Sequence, residues 1–231
     1  KIISKKIYKN YFKEPDHIKG AILTQEGTLL LKKLYDDFKK KYLKNIEIFR
    51  NKEVLDINSN GKILLNKNQI NTFDLVINTT HTNPNLGLDN KFFKLKYEKA
   101  LMVLVKNFLN KDEAITIMDG KFVSLYPLNS ELLSFSSVKF TPVFKTHSLK
   151  NFRENKFNSK KLYAQKIIND VRKYINLPKK INIKKITISP KVKITNDKGD
   201  KRISSFVKKK KLISVFCGKI DAAPVLWKKI E

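Results

Sequence analysis

The pattern of hydrophobic and polar positions changes character along this 231-residue chain. Residues 2–11 are polar and apolar by turns with β-branched side chains, which predicts one or two strands. Segment 20–27 predicts a short apolar strand running into a turn, and Thr28 suits a helix N-cap. From there Leu30, Leu31, Leu34, Tyr35, Phe38 and Tyr42 keep helical spacing with lysines on the other side, so an amphipathic helix is predicted. Segments 46–49, 54–57 and 62–65 read as strands, the last two joined by an Asn58-Ser-Asn-Gly61 turn whose glycine suits a positive φ. Segment 69–73 leads into 74–78, which is short, apolar and β-branched, the pattern of a buried parallel strand. It ends in the polar tip Thr79-Thr80-His81.

After a loop holding Pro84 and Gly87 the pattern becomes a succession of strands, at 96–105, 114–118, 121–126 and 132–138. Breaks at Asp119-Gly120 and Asn129-Ser130 suggest hairpins, hence an antiparallel sheet. Leu162, Ile167, Ile168, Val171 and Ile175 mark a helix that stops before Pro178. Strands resume at 181–189 and 192–195, a buried strand spans 212–217, Gly218 makes a turn, and a terminal helix covers 221–230. The fold class predicted is α/β (α+β).

Composition narrows the picture. Hydrophobic residues make up 41% and aromatics 10%, enough for a core, so a disordered chain is excluded. The longest aliphatic run, 101–105, falls far short of the roughly 20 residues of a membrane span. Cys217 stands alone, so neither an internal disulfide framework nor a cysteine-based zinc site is available. His17, His81 and His147 fit no metal spacing, and a reducing, cytoplasmic setting is expected. The net charge is +28, but only four of the 49 basic residues are arginine. Readers of phosphates and bases favour the bidentate arginine fork, so the lysine bias argues for a solvated surface over a specific nucleic-acid site.

The order of elements carries a resemblance. Glu26-Gly27-Thr28-Leu29 opens a helix, Val54-Leu-Asp-Ile57 forms a strand, Asp74-Leu-Val-Ile-Asn-Thr-Thr80 ends a buried strand in small polar residues, and Val215-Phe-Cys-Gly218-Lys-Ile-Asp221 closes with strand, glycine and helix. In these motifs and their order the chain resembles the later portion of the D-amino-acid-oxidase-like family of FAD-dependent oxidoreductases. The resemblance implies part of a Rossmann-like FAD-binding domain interrupted by an antiparallel substrate-binding sheet. It implies substrate-domain strands at 1–24, FAD-binding parts at 25–82 and 199–231, and a substrate domain with one helix at 83–198. It assigns cofactor contacts to Val54, Thr79, Thr80, Gly218, Lys219, Ile220 and Asp221, and substrate contacts to Arg202 and Tyr126, for a small-molecule substrate. An ordinary N-cap at Asp221, core packing by Val54 and surface or packing roles for Arg202 and Tyr126 stand beside those assignments as alternatives.

Three departures qualify the resemblance, one being Lys219 and Asp221 where the family often has more glycine. Such a protein begins with a glycine-rich turn that seats the pyrophosphate on a helix N-terminus. The closest glycines here, Gly20 and Gly27, are seven residues apart. The resemblance therefore implies an N-terminal segment lying outside this chain or supplied by a separate one, and an inactive remnant is a further reading. The family's usual glycine after the threonine pair is His81 here. Asn78-Thr79-Thr80 also matches a glycosylation sequon, which a buried strand end argues against. The rival function is a basic module that binds nucleic acid or anionic membrane without catalysis, motivated by charge alone.

Overall fold

The computed structural model describes residues 1–25, 31–66, 69–88, 92–109, 113–118, 122–195, 203–218 and 223–230. In chain order, strand β1 (Ile2–Ile3) leads into helix α1 (Lys5–Tyr8), strand β2 (Ala21–Ile22) and helix α2 (Leu31–Tyr42). Strands β3 (Val54–Ile57), β4 (Lys62–Leu65), β5 (Ile70–Thr72) and β6 (Val76–Asn78) follow. Then come β7 (Leu95–Lys106), β8 (Ile115–Thr116), β9 (Val123–Pro127), β10 (Leu132–Ser137) and β11 (Pro142–Thr146). Helices α3 (Leu149–Glu154) and α4 (Lys160–Tyr174) precede β12 (Ile183–Ile194), β13 (Ser205–Lys209), β14 (Leu212–Phe216) and helix α5 (Ala223–Ile230). Helices and several sheets together make a mixed α+β fold.

The chain forms two compact units that alternate along the sequence. The first comprises Lys1–Ile46, Lys99–Phe144 and Lys156–Ser189; the second comprises Glu47–Glu98, Lys145–Asn155 and Pro190–Glu231. In the first, β8, β9, β10 and β7 pair antiparallel in that order, as the hairpin pattern predicts. Alternate residues of these strands, among them Val103, Val105, Val123, Leu125, Leu133 and Phe135, form the core. Helix α4 lays Ala164, Ile167, Ile168 and Val171 into the same cluster, one face at 3.6-residue spacing. Each such buried valine, leucine, isoleucine or phenylalanine side chain contributes roughly 1.5–3 kcal/mol. A buried hydrogen bond of 2.6 Å from Ser137 Oγ to Asp170 Oδ2 ties the helix to β10.

The second unit holds two three-stranded sheets. β3, β4 and β5 form an antiparallel meander. β14 lies between β13, antiparallel, and β6, parallel. Ile57, Val76 and Leu212 form the buried centre, with Val54, Ile63, Leu86 and Leu88 packed on it. Gly87 sits at φ +81° in this cluster, where a Cβ would stand 2.7 Å from the Ile57 carbonyl oxygen and 2.9 Å from Leu212 Cδ2. Only glycine meets both demands at that position.

Several elements differ from expectation. Residues 2–11 hold a two-residue strand and a helical turn, and Tyr8 is buried from that turn. Segment 46–49 forms no strand; Ile46, Ile48 and Phe49 are exposed. The segments 181–189 and 192–195 are one strand running through Pro190. β12 pairs only with β7 among the described strands, so its other edge needs no donor from a proline. β11, α3 and β13 lacked a sequence signal strong enough to be predicted. Helix α2 forms as expected, but Leu34, Tyr35, Phe38 and Tyr42 on its apolar face stay about half exposed. The Glu26–Leu29 motif and the Asp119-Gly120 hairpin lie outside the described residues. A strand from the N-terminal segment that the resemblance implies would find no place between β6 and β14, because the two are direct hydrogen-bonded neighbours.

Replacing Gly87 with Ala is expected to destabilise the protein by about 3 kcal/mol, from left-handed strain plus overpacking. The midpoint of urea unfolding measures it, and a shift equivalent to less than about 1 kcal/mol would mean the 83–88 loop is not seated on the core as described.

Candidate functional site

The parallel register, Leu212 opposite Val76, Ile213 opposite Ile77 and Ser214 opposite Asn78, brings the carboxyl ends of β6 and β14 to one edge of the second unit. Open α/β sheets collect ligands at such ends, where the backbone ladder stops and loops diverge. Two buried polar side chains organise the edge. Asn78, 2% exposed, accepts hydrogen bonds through Oδ1 from the Thr80 N–H at 3.1 Å and the Thr80 hydroxyl at 2.8 Å. Its Nδ2 donates to the carbonyls of Asn83, at 3.0 Å, and Leu86, at 3.4 Å. The whole capacity of the amide is therefore spent on folding the loop back. Ser214, fully buried, donates to the Pro84 carbonyl from the neighbouring strand. Asn85 then pairs with the Phe93 backbone in both directions, at 2.8 and 2.9 Å. A loop without regular structure is thus fixed by side chains where a sheet would use backbone. The Asn78 sequon serves this bracing, and its amide is not available for a glycan.

His81 occupies a left-handed backbone, φ 54°, a conformation a glycine adopts without strain. Its ring stacks on Phe216 at 5.9 Å and 9°, and Phe93 packs on the same Phe216 at 6.0 Å. Burial lowers the His81 pKa from the ordinary 6.5, so the neutral ring is favoured. On β14's far side the Gly218 N–H donates to Ser204 Oγ at 2.9 Å, and that hydroxyl contacts Cys217 Sγ at 3.8 Å.

Of the residues implicated by the sequence, Thr79, Thr80 and Gly218 lie just beyond the strand ends at this edge. Thr79 and Thr80 are exposed, and the Thr80 hydroxyl is engaged by Asn78. Val54 packs its side chain on the Ile57, Val76 and Leu212 core. Tyr126 belongs to β9 of the first unit, 42% exposed, and its hydroxyl accepts from Thr116 Oγ1 at 3.2 Å. Arg202, Lys219, Ile220 and Asp221 lie outside the described residues. Among the described residues no three histidine, cysteine or acidic side chains gather as a metal site. Sequence reading passed over Asn78, Ser214, Ser204 and the aromatic contact of His81. The available signal was polar residues inside apolar strand runs, where asparagine is disfavoured without a task.

Asn78→Ala is expected to cost about 2–4 kcal/mol, since it strands buried partners, while surface threonine changes cost far less; chemical denaturation measures both. His81 also sets a pH dependence. Its folded-state pKa is depressed, so the unfolded chain binds the proton more readily. Its contribution is intact above the ordinary value of 6.5 and is lost as pH falls from there through the lowered folded value. His81→Asn, which tolerates the left-handed backbone, should lose less stability on that acid side. Equal slopes of urea midpoint against pH in the two proteins would contradict this.

No protein-family model matches the sequence. No curated protein matches it either. Among solved structures, a mutant of 2-methyl-3-hydroxypyridine-5-carboxylic acid oxygenase aligns with a TM-score of 0.33 and 11% identity. The alignment covers 70% of this chain and 42% of that one, so this chain spans less than half of its length. A TM-score of 0.33 lies below the overlap that a shared fold requires.

Proposed function

We propose that the chain is the FAD- and substrate-binding portion of a flavin-dependent oxidoreductase that oxidises a C–N or C–O bond of a small metabolite. The observation that supports this reading best is the adjacent parallel pair β6 and β14, whose last paired residues, Asn78 and Ser214, are polar and lie at one edge. An antiparallel meander precedes the first of these strands, and a glycine and a helix follow the second. That order is the one on which the sequence resemblance rests.

The residues fit one part of such a cofactor better than another. Thr79, exposed at the strand end, offers its hydroxyl, and His81, stacked on the buried Phe216, offers one flat, half-buried face. These groups suit the ring systems of FAD, with Val54 contributing through its backbone on the meander. Gly218 would admit the cofactor through its lack of a side chain, since its N–H is already satisfied by Ser204. Lys219, Ile220 and Asp221 are proposed as further cofactor contacts on the sequence resemblance alone. The chain has seven glycines and no closely spaced set, so a pyrophosphate would meet no glycine-rich turn here. That seat is expected from a segment outside this sequence or from a partner chain. FAD, when bound, supplies the acceptor for a hydride; this chain's residues would orient it and keep water away. Tyr126 and Arg202 are proposed as substrate contacts, the arginine as a bidentate partner for a carboxylate.

Titration of the chain with FAD, followed by flavin fluorescence, tests the reading. Saturable binding weaker than about 1 μM, that is worth less than about 8 kcal/mol, is expected. Thr79→Val should weaken it further. Absence of saturable quenching up to about 1 mM would overturn the flavin reading, and binding well below about 1 μM would overturn the expectation of an external pyrophosphate seat.

A further inference from the structure

The second unit carries a differently built surface at the amino ends of the same parallel strands. The β13–β14 hairpin reverses at Lys210 and Lys211, with Lys209 paired to Leu212, so Lys208, Lys209, Lys210 and Lys211 are consecutive at its tip. Backbone bonds brace this tip. The Lys211 N–H donates to the Ser59 carbonyl at 2.9 Å, and the Val76 N–H donates to the Lys211 carbonyl at 2.8 Å. Lys210 Nζ reaches Asn60 Oδ1 at 3.4 Å. The 58–61 turn is itself closed by Asn58 Oδ1, which accepts the N–H groups of Asn60 and Lys62 at 3.0 and 3.1 Å. The Phe73 N–H donates to the Gly61 carbonyl at 2.9 Å, which draws segment 70–75 alongside.

That segment exposes apolar side chains: Ile70 at 64%, Phe73 at 43% and Leu75 at 50%. Pairing of Lys62 with Thr72 and of Leu64 with Ile70 puts Lys62 and Ile70 on the same outward face of the meander, while Ile57 and Ile63 face the core. Five lysines, Lys62 and those of the tip, stand against Asp56 and Asp74, and Asp74 is fully exposed, 3.7 Å from Lys211.

Single exposed apolar residues are ordinary. Three of them among five lysines on one braced corner have the chemistry of a surface that meets anionic headgroups and presses apolar groups between them. A compact ammonium on a flexible stem suits diffuse attraction to headgroups, whereas the bidentate arginine fork that nucleic-acid recognition prefers does not occur in this group. Ile70 and Leu75 would gain nothing from a phosphodiester backbone. We propose that this corner docks the protein on an anionic lipid bilayer, with the lysines over the headgroups and Ile70, Phe73 and Leu75 at the acyl boundary. The proposal is independent of the flavin reading.

Co-sedimentation of the full chain with phosphatidylcholine vesicles, alone or with about one-third phosphatidylserine, provides the test. Binding is expected only with phosphatidylserine and should fall as salt rises. The Lys210→Ala/Lys211→Ala pair should weaken it about 25-fold, at about fivefold per lysine. Phe73→Ser should weaken it about tenfold and leave retention on heparin unchanged. A control pair on α2, Lys39→Ala/Lys40→Ala, should change vesicle binding by less than about threefold. The variants change exposed side chains, and unaltered thermal melts would establish that they fold. Equal losses in the two lysine pairs would overturn the proposal in favour of diffuse charge. So would an unaffected Phe73→Ser, binding indifferent to phosphatidylserine, or binding to nucleic acid with none to vesicles.

Discussion

The direct parallel pairing of β6 with β14 is the constraint on which the second unit depends. Parallel neighbours cannot be joined by a hairpin. Everything from Thr79 to Lys211 is therefore a crossover between two adjacent strands. Loop-closure entropy rises only with the logarithm of length, so a long crossover costs little more than a short one. The chain uses that latitude to place much of the first unit's sheet and its helix α4 inside the excursion. The pairing must then be specified locally. Val76 and Leu212 supply the buried centre, and Asn78 opposite Ser214 supplies polar anchors that fix where the loop leaves the sheet.

How much of this was legible depended on whether an element's partner was near in sequence. The hairpin strands β9 and β10, joined at Asn129-Ser130, and helix α4 announced themselves through local period and turn chemistry. β6 and β14 were legible as β-branched apolar runs, although their direct pairing was not, because register between distant segments leaves no trace in either alone. Segment 46–49 shows the converse: Ile46, Ile48 and Phe49 have strand composition, and without a partner they form none. β13 was hidden by its lysines, which an edge strand tolerates because one face and one edge meet solvent. At the candidate site Thr79, Thr80 and Gly218 lie just past the ends of two strands, where the apolar runs stop. Asn78 and Ser214, which shape those tips, were masked by the apolar runs around them.

The lysine excess imposes its own order on the few acids. Glu98, 3% exposed, has both Lys96 and Lys193 at 3.9 Å, so one buried carboxylate is shared by two ammonium groups. Asp170 likewise accepts from Ser137 and lies 3.3 Å from Lys173. Burying a carboxylate is tolerable only with such partners. Elsewhere the net charge of +28 repels itself, a term that salt screens over about 8 Å at physiological ionic strength. Charge of this kind keeps exposed strand edges such as β6 from pairing with other copies, at some cost to compactness.

The hydrogen-bond accounting at the strand ends limits what any ligand there would find. The amide of Asn78, the hydroxyls of Thr80 and Ser214 and the Gly218 N–H are all occupied within the protein. An edge so satisfied is preorganised, since nothing has to be released from water or rearranged before a ligand arrives. It offers few donors for a multiply charged anion, however, and its affinity would rest on shape and on the neutral, half-buried face of His81 against Phe216. Flat heteroaromatic rings meet those terms, because stacking and apolar contact require no unpaired donor. Phosphate does not, because its recognition requires several free N–H groups or fixed cations. On the proposed reading the two ends of a dinucleotide would thus be recognised by different parts of structure, and the ring end would fall to this edge.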